Sequence, residues 1–360
     1  MKQLHLSIVK KQKEYAICIG QNILGKIGEF FDLNKYSRIC VITDEHVAPH
    51  FLQKLLEALP EDSTKIILPA GESAKTIQTV QKIWTAMKEV QLDRKSLIIN
   101  LGGGVIGDMG GFAASTYMRG IDFINIPTTL LSQVDASVGG KTGIDFAGTK
   151  NSIGTFDQPV GVIIDTITLT TLPKREYISG FAEMIKHGLI ADKAYFKKVT
   201  GKKPDEFSQD ELAELITISC EIKKSVVEKD ETESGSRKLL NFGHTLGHAI
   251  EALSLETNKP LLHGESISIG IVAEAKLSEI SGILSHEDFQ TIESSLSNAG
   301  LPISLPNLNL DLLQNKMQSD KKNEKGKINF TLLSSIGKAL IDQDDISQEN
   351  ISQAIAYVTK

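Results

Sequence analysis

The chain has 360 residues, 41% of them hydrophobic and 23% charged, too long for one ordinary core and well suited to two domains of middling size. Lys and Arg total 39 against 45 for Asp and Glu, a net charge of −6, which argues against a general binder of nucleic acid or membrane surfaces. Three scattered cysteines without a CxxC pair, no secretory-type N-terminus and charge inside every apolar run predict a cytoplasmic protein without disulfides, thiolate metal sites or membrane spans.

Residues 4–9 and 15–19 straddle a basic turn and predict an antiparallel hairpin. Residues 38–43 predict a buried strand, followed by a helical pattern through Phe51, Leu52, Leu55, Leu56 and Leu59. A short strand at 65–68, a helix over 76–90 and a strand at 96–101 running into glycines come next; strands at 123–126 and 162–164 follow. This alternation predicts an α/β domain with a mostly parallel, Rossmann-like sheet covered on both faces. After Leu169 the pattern becomes helical, with Pro173 suited to a first turn and breaks at 201–204, 258–262 and 300–306. Only 327–333 looks strand-like there. The expected boundary lies near residue 170, separating an α/β domain over 1–170 from a mainly α-helical domain over 171–360.

The densest chemical clue is NLGGGVIGD at 100–108. Glycines at a strand end let a ligand approach the backbone, and the following helix offers free N–H groups to phosphate. GESAKT at 71–76 and Asp44 also follow strands, where a carboxylate suits ribose hydroxyls and a lysine suits phosphates. Asp135, the GGKTG run at 139–143 and Lys150-Asn151 fit recognition of a polar, anionic small molecule. The spacing GxxxxGK(S/T) is absent, which disfavours nucleoside triphosphate hydrolysis.

In the helical half, Glu183, Lys186 and His187 share one side of a predicted helix. His244 and His248 lie four residues apart, and His263 follows a loop. Histidines with a carboxylate in one helical domain point to a divalent metal site; the absence of HExxH disfavours a metallopeptidase. Lys223, Arg237 and Asn241 add donors for carboxylate or phosphate. No nucleophile triad stands out. Redox work on a phosphorylated polyol fits this inventory.

Taken together, the blocks resemble the 3-dehydroquinate synthase family of sugar-phosphate cyclases. They are GESAKT at 71–76, GGGVIGD at 102–108, PTTLLSQVDASVGGKTGID at 127–145, KNSIGTFDQP at 150–159, SGFAEMIKHG at 179–188, RKLLNFGHTLGHAIE at 237–251 and LHGESISIG at 262–270. The resemblance runs nearly the whole chain, ending in DKK at 320–322. It implies NAD, zinc or cobalt, a homodimer, and a phosphorylated sugar acid, 3-deoxy-D-arabino-heptulosonate 7-phosphate, as substrate. Transient oxidation, phosphate elimination, reduction and intramolecular aldol closure would give 3-dehydroquinate.

By the same resemblance Glu183, His244 and His263 would bind the metal. Asp44, Gly71, Glu72, Lys75, Thr76, Gly103, Gly104, Val105, Gly107, Asp108, Thr128 and Thr129 would contact NAD, adjoined by Lys141, Lys150, Thr168, Leu169, Thr170 and Thr171. Arg119, Asp135, Lys141, Asn151, Lys186, Lys223, Arg237, Asn241 and His248 would line the substrate pocket, with Lys321 or Lys322, or else Lys327, completing it. Lys141, Asn151, Lys186, Arg237 and Asn241 carry the catalytic expectation with His248, the expected proton shuttle, since imidazole works near neutral pH. His187 is expected to be a structural neighbour, at a position where the family also accepts Tyr. Ala136 replaces a serine common in the family.

Overall fold

The computed structural model describes residues 13–255, 257–306, 312–313, 316–317 and 328–360. Six strands, β1 (Ala16–Gly20), β2 (Ile39–Asp44), β3 (Thr64–Leu68), β4 (Leu97–Gly102), β5 (Asp122–Pro127) and β8 (Gly161–Asp165), form a sheet in the order β1-β8-β5-β4-β2-β3. Every pairing within it is parallel. All residues of β2, β4 and β8 are buried, as a strand covered on both faces requires. Successive side chains go to opposite cores. Cys40, Ile42 and Ile98 join one cluster, while Ile39, Val41, Leu97 and Ile99 join the other.

The connection leaving β2 runs outward to β3 and that leaving β4 runs the other way to β5, so the chain reverses between adjacent β2 and β4. A crevice beyond the carboxyl ends of such strands is the usual ligand position in an open α/β sheet. Helix α3 (Ile77–Glu89) and helix α4 (Gly104–Thr116) cover one face. On the other face, near the single turns α1 (Ile27–Phe30) and α2 (Gln53–Leu56), the expected helix through 51–59 is a π-helical turn, Ala48–Leu52, running into α2.

Residues 4–9 lie outside the described residues, and their expected hairpin partner, β1, pairs in parallel with β8. The glycine-rich stretch after Asp135 leads into an element the sequence did not reveal: β6 (Lys141–Phe146) and β7 (Thr149–Phe156) form an antiparallel hairpin. Its Ile144 packs into the cluster containing Ile106 and Phe112 of α4.

The remaining chain forms α5 (Lys174–Ala191), α6 (Lys193–Val199), α7 (Gln209–Val227), α8 (His244–Ser254), α9 (His263–Ile280) and α10 (His286–Asn298). A hairpin of β9 (Phe330–Ser335) and β10 (Lys338–Gln343) and a last helix, Gln348–Val358, follow. The strand expected over 327–333 is therefore β9, shifted toward the C-terminus and paired with a strand that the sequence did not reveal. Helix α9 is buried on nearly every side and forms the axis of this half.

Candidate active site

Three helices bring Glu183, His244 and His263 together. Glu183 sits in the middle of α5, and the two histidines are the first residues of α8 and α9. The start of α9 is pinned to α5, because Gly264 N–H donates to Ser179 Oγ at 3.0 Å and Arg175 forks onto Glu265 with two contacts of 2.7 Å. A Cβ at Gly264 would lie 1.9 Å from Ser179 O, so only glycine permits this approach.

Glu183 Oε1 lies 3.6 Å from His244 Nε2 and 3.7 Å from His263 Nε2. The ring nitrogens facing away are engaged: His244 Nδ1 with Phe242 O and His263 Nδ1 with Glu251 Oε2, each at 3.2 Å. Such outer acceptors leave both Nε2 atoms facing a common point. Glu183 is fully buried and its Oε1 accepts no hydrogen bond, a costly state for a carboxylate oxygen unless a cation completes it. Two imidazoles and a carboxylate with ligand atoms within 4.8 Å of one another fit a divalent metal of the zinc type. Without a cation, burial opposes charge on His263, but Glu183 and Glu251 outweigh it and raise its pKa to about 10. Burial, then Lys186, pushes His187 down to about 3, so that imidazole is neutral, with Nδ1 on Ser219 Oγ at 2.7 Å.

Around this group stand buried cations. Lys186 pairs with Glu183, and Lys223 Nζ reaches Asp135 Oδ1 at 2.5 Å. Burial works against a charge on Asp135, but Lys223 and Lys186 outweigh it and hold the carboxyl well below the usual range. Arg237 is 2% exposed and donates to Gly139 O and Glu231 O, while its Nε has no partner. Glu233, with a left-handed φ of 61°, accepts from Asn241 Nδ2 at 2.8 Å and pairs with Lys141.

On the sheet side, Gly102, Gly103, Gly104, Gly107 and Ser137 line a narrow cleft at the start of α4. Gly103, Gly104, Val105 and Gly107 are half-buried there, and a side chain at Gly107 would meet nothing within 4 Å; a helix start of this kind suits a phosphate. Buried Lys75 donates to Asp108 Oδ2 at 2.6 Å and to Asn151 Oδ1 at 2.5 Å. Glu72 follows Gly71, whose φ is 94°, and lies 3.7 Å from Lys150 Nζ; that ammonium also donates to Glu251 Oε1 at 2.7 Å. Polar contacts thus run from Asp108 through Lys75, Glu72, Lys150 and Glu251 to His263.

Other expected contacts face into the fold. Asp44 Oδ1 accepts from the N–H groups of His46 and Val47 at 2.9 and 3.0 Å. The Thr76 hydroxyl caps α3 by accepting from Thr79 N–H at 3.3 Å. Thr128 N–H donates to Gly102 O at 3.0 Å, and the Thr129 hydroxyl meets Ser132 Oγ at 2.8 Å. Thr168 Oγ1 donates to Asp165 O at 2.8 Å and accepts from Gln133 at 3.0 Å; Leu169 is buried, and Thr170 and Thr171 are exposed. Arg119 follows the far end of α4, 13 residues long and so about 20 Å from the glycines at a rise of roughly 1.5 Å per residue. Lys321, Lys322 and Lys327 lie outside the described residues. Glu251 and Glu233 received no role from the sequence. The available signal for Glu251 was an acid one turn beyond His248 on the same helix face.

Of the expected contact residues that are described, Leu169 alone lines a cavity of about 640 Å³, beside Leu172, Tyr177 and Leu212. No helix among the described residues is long and apolar enough to cross a membrane.

The family model described as 3-dehydroquinate synthase N-terminal matches residues 65–179, and the C-terminal one matches 180–323. A 3-dehydroquinate synthase of Ruminiclostridium cellulolyticum is 44% identical over 335 residues, covering 91% of this chain and 92% of its own. The structure of 2-epi-5-epi-valiolone synthase from Streptomyces hygroscopicus subsp. jinggangensis, with NAD+ and Zn2+ bound, is similar at a TM-score of 0.88 and 25% identity over 99% of both chains. That of 2-deoxy-scyllo-inosose synthase with carbaglucose-6-phosphate, NAD+ and Co2+ gives a TM-score of 0.85 at 25% identity, covering 95% of this chain and 96% of its own.

Proposed function

Because the chain belongs to the 3-dehydroquinate synthase family, we propose that it converts 3-deoxy-D-arabino-heptulosonate 7-phosphate to 3-dehydroquinate and phosphate, the shikimate-pathway step. The class is a phosphate-eliminating carbon–oxygen lyase that closes a ring. Its cofactors are NAD and a divalent metal, zinc or cobalt, as bound in the solved cyclases. When bound, NAD takes up and returns a hydride, and the metal supplies Lewis acidity toward a substrate hydroxyl.

The chain's own residues do the holding. Glu183, His244 and His263 would hold the metal, and the glycine-rich start of α4 at Gly103 and Gly104 with Lys75 and Lys150 would receive NAD. Lys186, Lys223, Arg237 and Asn241 carry the donors for the substrate's carboxylate and phosphate, with Arg237 offering a planar fork. Lys141 and Asn151, carried by the β6–β7 hairpin, would add to this set. His248, with its ring centroid 5.0 Å from that of His244 and 6.0 Å from that of His263, is placed to move a proton beside the metal ligands. Orienting one flexible chain between both halves would hold its two reacting carbons close together for the intramolecular ring closure. A homodimer in the cytoplasm, with its lobes meeting near residue 170, completes the reading.

The observation that carries this proposal is the buried Glu183 Oε1, without a hydrogen bond and facing two imidazole nitrogens within 3.7 Å. The test is incubation with the heptulosonate phosphate, zinc and NAD far below the substrate concentration. Phosphate and 3-dehydroquinate should appear in equal amounts over many turnovers per NAD. Accumulation of NADH would instead indicate a polyol dehydrogenase, and turnover of sedoheptulose or glucose phosphate alone would indicate another cyclase.

A further inference from the structure

We propose that Glu274 is a positioning residue that sets the place of His244, an inference resting on the reading of Glu183, His244 and His263 as a metal site. Helix α8 begins without a cap of its own. Its N-cap residue is Gly243, which has no side chain, and the free N–H groups of a helix start need acceptors. Glu274, three turns along α9 and fully buried among Ile271, Val272, Ala275 and Leu277, provides them from the neighbouring helix. Its Oε2 accepts from Gly243 N–H at 2.7 Å and its Oε1 from Leu246 N–H at 3.1 Å. His244 lies between these two anchored residues. A carboxylate also complements the positive end of the helix dipole.

A capping side chain could not be placed at Gly243 itself. Its φ is 79°, and a Cβ there would lie 2.5 Å from Ile271 Cγ1. The two backbones meet so closely that a Cβ at Gly270 would lie 2.0 Å from Gly243 O. The cap is therefore supplied across the seam between α8 and α9. Since α9 itself begins with His263, one carboxylate ties the two imidazole ligands to a common frame.

The test is zinc affinity, read by competition with a chromogenic chelator on variants shown to be folded by circular dichroism. Glu274→Leu should weaken zinc roughly 10- to 100-fold, the range for outer partners of metal ligands. Glu274→Gln keeps one acceptor oxygen and should recover part of that loss; it carries the test if the leucine variant does not fold. Asp192→Ala removes a two-bond cap from α6, where the carboxylate accepts from Ala194 and Tyr195 N–H, and should leave zinc affinity unchanged. Unaltered affinity in the Glu274 variants, or an equal loss in Asp192→Ala, would overturn the inference alone. Failure of the unsubstituted protein to bind zinc overturns the metal reading and the inference together.

Discussion

Two buried carboxylates, one in each half of the molecule, are satisfied in opposite ways. In the sheet half, Asp165 is saturated by backbone, accepting from the N–H groups of Asn22, Leu24 and Ile167 at 2.9, 3.0 and 3.2 Å. Asp44 at the end of β2 is used similarly. In the helical half, Glu183 faces Lys186 and two imidazoles and retains an oxygen without a hydrogen bond. A carboxylate filled by main-chain donors is architecture, whereas one left facing cations and imidazoles is available to a ligand. Chemical potential in this protein therefore resides where burial is incompletely satisfied, and the sheet half contributes mainly the glycine-rich start of α4.

The sharpest way to break that contrast is His263→Ala. Removing a ligand should cost zinc affinity by more than about 100-fold, beyond the range for outer partners, and remove turnover with it; unchanged metal content by elemental analysis would end the assignment. Next in size is Asp165→Ala, which leaves three N–H groups without an acceptor and should cost about 3 kcal/mol of folding stability by urea unfolding. Its zinc affinity should nevertheless equal that of the parent, since this carboxylate belongs to the frame.

The smallest effect per step is a pH dependence. With its pKa raised to about 10 in the metal-free protein, His263 is protonated at neutral pH and zinc must displace that proton. Affinity should rise about tenfold per pH unit between 7 and 9, and a flat profile would show the two halves to be less different than described. The same sign governs the metal-free fold. The stability gained from charged His263 is complete below the ordinary value of 6.5 and is lost as pH rises through about 10.

The parallel sheet was legible because β2, β4 and β8 each carry a run of consecutive apolar residues, a pattern that a buried strand cannot disguise. The hairpin β6–β7 was not. Its two-residue turn, Ala147-Gly148, has both φ values positive, 50° and 79°, a conformation usually announced by Asn-Gly. Alanine hides it, and the half-exposed strands carry Lys, Asn and Thr in place of an apolar run. In the helical half, the histidines and a carboxylate pointed to a metal site by themselves, but the choice of Glu183, His244 and His263 came from the family resemblance, because Glu183 and His263 are 80 positions apart by number and meet through helix packing. Glu274 was illegible for the same reason, since a cap supplied from another helix leaves no local spacing to read.

The β6–β7 hairpin stands outside the main sheet yet carries Lys141 and Lys150 to acids of the helical half, Glu233 and Glu251. These contacts are partly open to solvent on the lysine side, 50% and 35% exposed, so dissolved ions compete with them far more than with the interior pairs. Ionic strength consequently acts as a selective solvent for the joint between the halves, loosening this clasp while leaving each hydrophobic interior in place.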